Sequence, residues 1–439
     1  MPTANNIAFI TLGCAKNEVD SDKMRALLRA AGYAIVDDPE QADLTVINTC
    51  GFLASAVEEG LDTIFAALGV ADAPNIPVNK VLVTGCMPSR YGAELEGELQ
   101  EVAGFLPVDQ EGRIVEKVGE ILGSQRAVEA GGLRDEAGPS AYVKISDGCD
   151  RFCSYCMIPY IRGRYHSFPY EDIRDEVAEL AAAGVREVVL IGQDTGIWGR
   201  DLPQPSCTKE LLERLAAEFP QLWLRLMYIQ PEGITDELLL TMGNTPNICS
   251  YIDIPLQHVD EAILKRMNRS GDPAQIAALL QRIRALVPDM MIRTTLMTGF
   301  PGETEEQFQT LMDFVAEAGF DYAGVFAYST EEGSKAAEFE DQVDEDLRLE
   351  RAQRLLDLCD SCGFARTARH VGQRVECVVE GYEETDAGVE ALARWQGQAP
   401  DVEGMVHIPL EGGEELEPGD KVTVELVDSF CYELVGELV

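Results

Sequence analysis

Residues 148–156 read Gly-Cys-Asp-Arg-Phe-Cys-Ser-Tyr-Cys, which places Cys149, Cys153 and Cys156 in a C-x3-C-x2-C pattern. The motif directly follows an apolar run, Ala141–Ser146, that is predicted to be a β-strand. Three thiolates on one tight loop can bind three irons of a 4Fe–4S cluster, whereas an ordinary electron-transfer cluster has four cysteine ligands. The pattern therefore favours a cluster with one open iron. Structural zinc and buried thiols are the alternatives, but zinc usually takes four ligands in paired motifs.

The residues that follow alternate predicted strands with amphipathic helices. Six βα units over about 200 residues predict a partial TIM-like (βα)6 barrel, short of the usual eight units, with its active site at the carboxyl ends of the strands. The remaining five candidate strands are Glu187–Ile191, Leu222–Met227, Tyr251–Ile254, Met291–Met297 and Gly324–Tyr328.

Three of these strand ends carry glycines and polar side chains. Glycine lets the backbone approach a ligand closely, and Gln and Asp side chains offer hydrogen-bond partners. The alternative at each position is an ordinary turn. We predict that the following residues contact a cofactor: Gly192, Gln193, Asp194, Gln257, Gly299 and Gly302.

The N-terminal region also alternates apolar runs with helical stretches, which predicts an open parallel α/β sheet. Three runs, Ile7–Leu12, Leu44–Ile47 and Val81–Val83, each lead into a cysteine. Because ligands bind beyond the carboxyl ends of such strands, the three thiols are expected to converge. Burial as small hydrophobic residues is the alternative. The cysteines concerned are Cys14, Cys50 and Cys86.

The C-terminal region has turn residues and four short alternating strands, which predict a small antiparallel β-barrel or sandwich. The predicted strands are RVECVVEG (374–381), MVHIPL (405–410), KVTVELVDS (421–429) and YELVGELV (432–439). It follows a charged helical stretch, Asp344–Arg369, and a Gly-rich linker, Ala130–Ser140, precedes the central region. The overall fold class is therefore α/β with three domains, at residues 1–125, 135–369 and 370–439.

Charge restricts the partners of this protein. The chain has 35 Lys and Arg against 77 Asp and Glu, a formal net charge of −42. From Gln373 onward, 3 cations face 17 acids, a net charge of −14. Nucleic-acid binding needs clustered cations, so tRNA or DNA is disfavoured and a basic protein partner is favoured. Solubility or a generally acidic host proteome is the alternative explanation.

Hydropathy and the first residues of the sequence predict a cytoplasmic protein. No run approaches the ~20 apolar residues of a membrane helix, and the first residues lack the features of a secretory signal. The 12 cysteines are then expected to be reduced. Cys359 and Cys362 form a C-x2-C pair inside a predicted helix, and we interpret them as packing thiols.

The C-x3-C-x2-C loop, with Tyr155 before its last cysteine, resembles the radical S-adenosylmethionine (SAM) family. Leu12–Ser21, Ile47–Phe52 and Thr84–Arg90 resemble the N-terminal cluster domain of the methylthiotransferases in that family, and the C-terminal region resembles their TRAM domain. The resemblance implies that the catalytic cysteines Cys149, Cys153 and Cys156 hold one 4Fe–4S cluster, whose open iron binds SAM. It also implies a second cluster on Cys14, Cys50 and Cys86, which carries sulfur.

Within that family, Gly13–Asn17, Asn48–Phe52 and Ile161–Gly163 resemble the branch that modifies an aspartate of small-subunit ribosomal protein twelve. The implied reaction begins when SAM is reductively cleaved and its radical removes hydrogen from the aspartate β-carbon. Sulfur and then a methyl group are added, and a donor such as flavodoxin or ferredoxin supplies electrons. The alternatives are the same chemistry on tRNA adenosine and a non-catalytic iron–sulfur scaffold or electron carrier.

Overall fold

The structure, a computed structural model, describes residues 5–69, 80–128, 131–134, 138–386, 388–410 and 415–439. The predicted linker Ala130–Ser140 lies partly outside these residues. The chain divides into two compact units. The first contains the described residues of 1–136 together with 147–166 and 329–337, and the second contains those of 137–146, 167–328 and 338–439.

The first unit is built on a parallel sheet with helices on its faces. Its strands are β1 (Asn6–Thr11), β2 (Ala34–Ile35), β3 (Leu44–Thr49), β4 (Val81–Gly85) and β5 (Gly104–Pro107), and its helices are α1 (Ala15–Ala30), α2 (Ala54–Leu68), α3 (Cys86–Glu98), α4 (Ile114–Leu122) and α5 (Ile158–Ile161). The strand order is β2-β1-β3-β4-β5. Every residue of β3 and β4 is buried, as expected for parallel strands covered on both faces. The predicted N-terminal parallel sheet is confirmed.

The second unit begins with six parallel strands that belong to a partial (βα)6 barrel. They are β6 (Ser140–Lys144), β9 (Glu187–Ile191), β10 (Trp223–Leu226), β11 (Tyr251–Gln257), β12 (Met291–Thr298) and β13 (Tyr322–Ala327). They form two three-stranded sheets, ordered β10-β9-β6 and β11-β12-β13, with a bridge from Leu224 to Ile248 between them. Two short strands, β7 (Ser146–Asp147) and β8 (His166–Ser167), lie where the chain passes between the units.

Seven helices follow or separate the barrel strands, and their apolar faces share one large core with the strands. The helices are α6 (Tyr170–Ala182), α7 (Thr208–Glu218), α8 (Asp236–Asn244), α9 (Glu261–Arg266), α10 (Pro273–Leu286), α11 (Glu305–Ala318) and α12 (Glu345–Thr367). Among the described residues, none of the helices combines the length and apolar character that crossing a bilayer requires.

A closed five-stranded barrel ends the chain, as predicted, but its strands at 406–409 and 433–438 pair in parallel, so the barrel is not wholly antiparallel. Its strands are β14 (Arg374–Thr385), β15 (Gly388–Trp395), β16 (Val406–Pro409), β17 (Lys421–Phe430) and β18 (Glu433–Leu438), in the order β14-β15-β16-β18-β17. Sequence analysis did not find β15. Its fully buried positions include Ala391 and Ala393, and alanine is uncommon in strands, so the usual β-branched pattern is missing there.

A buried ionic cluster joins the two barrels of the second unit. Glu187, the first residue of β9, lies 2.6 Å from Arg225 Nε and 2.7 Å from Arg394 Nη2 of β15. All three side chains are at most 1% exposed. The Arg225 and Arg394 guanidinium groups outweigh the burial of Glu187 and lower its pKa. Glu187 therefore compensates Arg225, and it shares the compensation of Arg394 with Glu380 of β14.

Glu187→Gln keeps the side-chain volume but removes the carboxylate that pairs with Arg225 and one of the two that pair with Arg394. We expect the free energy of unfolding to fall by about 3–5 kcal/mol in chemical denaturation, because a buried charge is left unpaired. Glu425→Gln removes the exposed partner of Arg374 and is the control, with an expected loss of about 0–1 kcal/mol. Equal losses in the two variants would contradict this account.

Candidate active site

The cysteines of the first unit lie at the carboxyl ends of three neighbouring parallel strands. Cys14 follows β1, Cys50 directly follows β3, and Cys86 is the first residue of α3 after β4. The ladder pairs Ile10 with Ile47 and Ile47 with Val83. The three strands are therefore in register, and the loops that carry the cysteines start at the same edge of the sheet.

Two glycines let these loops meet. A Cβ added at Gly13, whose φ is +99°, would lie 2.9 Å from Cys50 Cβ and 3.5 Å from its Sγ. A Cβ added at Gly51 would lie 2.7 Å from the carbonyl oxygen of Cys86. Approaches this close require glycine. The loops of Cys14, Cys50 and Cys86 are thus in contact.

Asn17 holds this arrangement together from the first turn of α1. Its Nδ2 donates to the carbonyl oxygens of Leu12, at 2.9 Å, and Thr49, at 3.1 Å. Its Oδ1 lies 3.8 Å from Cys86 Sγ. Sequence analysis quoted Asn17 within a motif but gave it no role. The sequence shows only that Asn17 is a polar residue close to Cys14. That observation does not tell whether its side chain is buried and joins two loops or is exposed to solvent.

The protonation of these thiols depends on burial. Burial raises the pKa of Cys86 to about 12 and also raises the pKa of Cys50. The nearby Cys14 thiol acts in the same direction on both, whereas the Arg162 guanidinium opposes the rise. Metal binding needs thiolates and releases their protons. Cys50 and Cys86, two thiols that are hard to ionise alone and adjoin a third, fit a strongly positive group such as an iron–sulfur cluster.

The second cysteine set occupies one loop of the first unit. Cys149, Cys153 and Cys156 are each partly exposed. The Cys149 N–H donates to the carbonyl oxygen of Gly163 at 3.1 Å, and the Cys156 N–H donates to that of Cys153 at 3.0 Å. The loop is therefore closed by its own backbone. Three partly exposed thiols on it fit a 4Fe–4S cluster with one iron available to SAM.

The six predicted SAM contacts lie in the second unit, at the carboxyl ends of β9, β11 and β12. A Cβ at Gly192 would collide with the Ser146 hydroxyl, so glycine is required there. Gln257 is the last residue of β11 and has a φ of +70°. The predicted strand end at Ile254 was too early, because a register irregularity between Ile254 and Gln257 lets pairing continue. These strand ends carry the following residues: Gly192, Gln193, Asp194, Gln257, Gly299 and Gly302.

Packing within the protein also requires two of these glycines. Gly299 has a φ of +69°, and its added Cβ would lie 3.0 Å from Arg348 Cα. Gly302 has a φ of +82°, and its added Cβ would lie 3.0 Å from Arg266 Cζ. Backbone conformation and close neighbours thus account for both residues without a ligand. Their contact with SAM stays a prediction.

Sequence analysis missed the role of Glu303 in the loop after β12. Its Oε2 accepts hydrogen bonds from the backbone N–H groups of Gly299 and Phe300, and its Oε1 lies 3.3 Å from Arg351 Nη1. Burial raises the pKa of Glu303 to about 7, and the Arg351 guanidinium opposes that rise. Glu303 therefore fixes the turn that contains the two glycines. An acid in a glycine-rich segment usually signals a surface turn, so the sequence alone did not reveal this contact.

Comparison with known proteins agrees with the fold and the cysteine loops. Residues 143–315 match the radical SAM superfamily, residues 6–107 match the Uncharacterized protein family UPF0004, and residues 371–439 match the TRAM domain. The radical SAM methyltransferase TsrM from Kitasatospora setae has a similar fold. The TM-score is 0.55 at 13% identity, over 74% of this chain and 75% of that chain. The protein is therefore a radical SAM enzyme with two flanking domains.

Full-length relatives define the family more narrowly. The chain is 41% identical to ribosomal protein uS12 methylthiotransferase RimO of Geobacter sulfurreducens, over 99% of this chain and 98% of the relative. It is 39% identical to RimO of Desulfitobacterium hafniense, over 100% of both chains. The chain belongs to the RimO family of ribosomal protein uS12 methylthiotransferases. The cofactors of this family are SAM and two 4Fe–4S clusters.

Cys153→Ala tests the assignment of the loop. We expect the reconstituted variant to lose about half of its iron and all SAM cleavage, because two thiols no longer hold the cluster that binds SAM. The measurements are iron content and 5′-deoxyadenosine formation under reducing conditions. Cys362→Ala in α12 is the matched control and should change neither quantity. SAM cleavage by Cys153→Ala would show that the loop is wrongly assigned.

Proposed function

We propose that this chain transfers a methylthio group to the β-carbon of an aspartate in ribosomal protein uS12. The observation that carries the proposal is the presence of two separate three-cysteine sets within a chain that matches RimO proteins along its whole length. A simple electron carrier needs neither a second set nor a SAM-binding barrel. The two sets match a reaction that needs both a radical and a source of sulfur.

The residues of this chain divide the work between the two sets. Cys149, Cys153 and Cys156 would hold the cluster that binds SAM, and Cys14, Cys50 and Cys86 would hold the cluster that provides sulfur. With these groups bound, the site supplies radical initiation, the sulfur atom and the methyl group. The strand-end loops of the second unit would bind and orient SAM through the following residues: Gly192, Gln193, Asp194, Gln257, Gly299 and Gly302.

Charge supports a basic protein over tRNA as the substrate. The C-terminal barrel has only three Lys and Arg from residue 373 onward, and each is paired with a carboxylate. Cations that bind nucleic acid must be free to replace the counterions of phosphate groups. The acidic surface instead complements a Lys- and Arg-rich ribosomal protein. The pairs are Arg374 with Glu425, Lys421 with Glu376, and Arg394 with Glu187.

The reaction also needs a low-potential electron donor, for which a flavodoxin or a ferredoxin is the proposed source. A ribosomal substrate places the reaction in the cytoplasm, where ribosomes are assembled and used.

An anaerobic competition assay tests the substrate. The reconstituted enzyme receives SAM, a reductant, small ribosomal subunits and bulk tRNA in one reaction, and mass spectrometry then examines uS12 and the tRNA nucleosides. We expect a methylthio group on one aspartate of uS12, because the ion-paired cations leave the C-terminal barrel unsuited to phosphate. The Cys153→Ala enzyme is the negative control. Methylthiolated adenosine, or SAM cleavage with neither product, would contradict the proposed substrate.

A further inference from the structure

Arg162 connects the two cysteine sets of the first unit. It directly follows α5, and its side chain is 1% exposed. Its Nη1 lies 3.1 Å from Asp147 Oδ2, and its Nη2 lies 3.1 Å from Asp20 Oδ2 and 2.8 Å from Asn17 Oδ1. A single buried guanidinium therefore binds the residue that precedes the cluster loop and two residues in the first turns of α1.

On one side, Arg162 secures the loop of Cys149, Cys153 and Cys156. Asp147 Oδ1 accepts a hydrogen bond from the Gly148 N–H at 2.9 Å, which fixes the start of the loop. The Cys149 N–H donates to the carbonyl oxygen of Gly163, the residue after Arg162, at 3.1 Å. The start of the loop is thus held by Asp147, the partner of Arg162, and by the residue that follows Arg162.

On the other side, Arg162 reaches the N-terminal set. The Asn17 Oδ1 atom that accepts its hydrogen bond lies 3.8 Å from Cys86 Sγ. Cys86 also packs in one buried apolar cluster with Met157, which directly follows Cys156, and with Ile161. Polar and apolar contacts therefore hold Cys86 against the segment that carries the second cysteine set.

The guanidinium group of arginine suits this position better than the ammonium group of lysine. Its planar guanidinium can donate to three partners in fixed directions and stays charged at every physiological pH, whereas a lysine ammonium is a flexible point charge. A permanent positive charge beside buried sulfur also favours added negative charge on any group that the sulfur binds. Arg162 thus offers two separable properties, geometry and charge.

We propose that Arg162 is a positioning residue for the sulfur-transfer half of the reaction. It holds the two cysteine sets at a fixed separation and places a permanent positive charge beside the N-terminal cluster. The inference rests on the proposed function, because it assigns Arg162 to the coupling of radical formation with sulfur insertion.

The effect of the Arg162 charge is tested in a chain that can bind only the N-terminal cluster. In the full chain with Cys149, Cys153 and Cys156 all replaced by alanine, Arg162→Gln should shift the reduction potential of the remaining cluster to a more negative value, measured by a redox titration followed by electron paramagnetic resonance. Arg162→Lys should leave the potential close to that of the parent, because the charge is kept. An unchanged potential in Arg162→Gln would overturn the electrostatic part of the proposal.

Arg134→Gln is the matched control for loss of a buried ion pair on α1. Arg134 lies outside α1, and its Nη2 atom is 2.6 Å from Oδ2 of Asp22 in α1. The Arg134 side chain is 6% exposed. This variant should leave the cluster potential unchanged. An equal shift in Arg134→Gln and Arg162→Gln would mean that general destabilisation of α1 causes the effect, which would also overturn the proposal.

The positioning role of Arg162 is tested in the chain that keeps all six predicted cluster ligands. Both Arg162→Gln and Arg162→Lys should still cleave SAM but raise the ratio of 5′-deoxyadenosine to methylthiolated uS12 by about tenfold or more, since small misplacements cost one to two orders of magnitude in rate. An unchanged ratio in Arg162→Lys would overturn the proposal and leave the proposed function intact. A parent enzyme that makes no methylthiolated uS12 would instead refute the proposed function.

Discussion

Parallel hydrogen bonding between strands is the constraint on which both parts of the site depend. Pairing of β1, β3 and β4 in register brings the loops after three separate strands to one sheet edge, so cysteines that are far apart in sequence become neighbours. The same rule brings the loops after β9, β11 and β12 to one end of the (βα)6 barrel. The candidate cysteine ligands Cys14, Cys50 and Cys86 and the predicted SAM contacts all lie at or just beyond strand ends, where parallel α/β folds bind ligands.

Burying these thiols at the edge of the sheet destabilises their ionised forms. Cys86 and Cys50 are hard to ionise because of burial, and the neighbouring thiols add to the difficulty. Arg162 opposes both effects, yet its own burial is tolerable only because Asp20 and Asp147 accompany it. The cysteines, the arginine and the two carboxylates therefore form one set in which each charge depends on the others.

The features of the structure that follow from the sequence are those that local patterns encode. Local patterns include the apolar runs of the strands, the spacing of the cysteines around Cys153, and the cysteines that follow strands. The structure has strands at these runs and cysteines at these strand ends. The Arg162–Asp20 ion pair joins positions separated by 142 residues, and no local pattern encodes such a pair. Likewise, β15 was missed because Ala391 and Ala393 fill a narrow barrel, and the irregularity before Gln257 extends β11 without any turn signal.

The C-terminal barrel is attached at the end of the (βα)6 barrel that does not carry the predicted SAM contacts. Its anchors reach the amino-terminal ends of strands: Arg394 binds Glu187 at the start of β9, and Glu403 accepts a hydrogen bond from Tyr251 at the start of β11, at 2.8 Å. Gly192 and Gln257 lie at the opposite ends of those same two strands. A domain held in this position does not line the loops that would bind SAM. The position of the C-terminal barrel is therefore fixed by residues at the strand ends opposite those that carry the predicted SAM contacts.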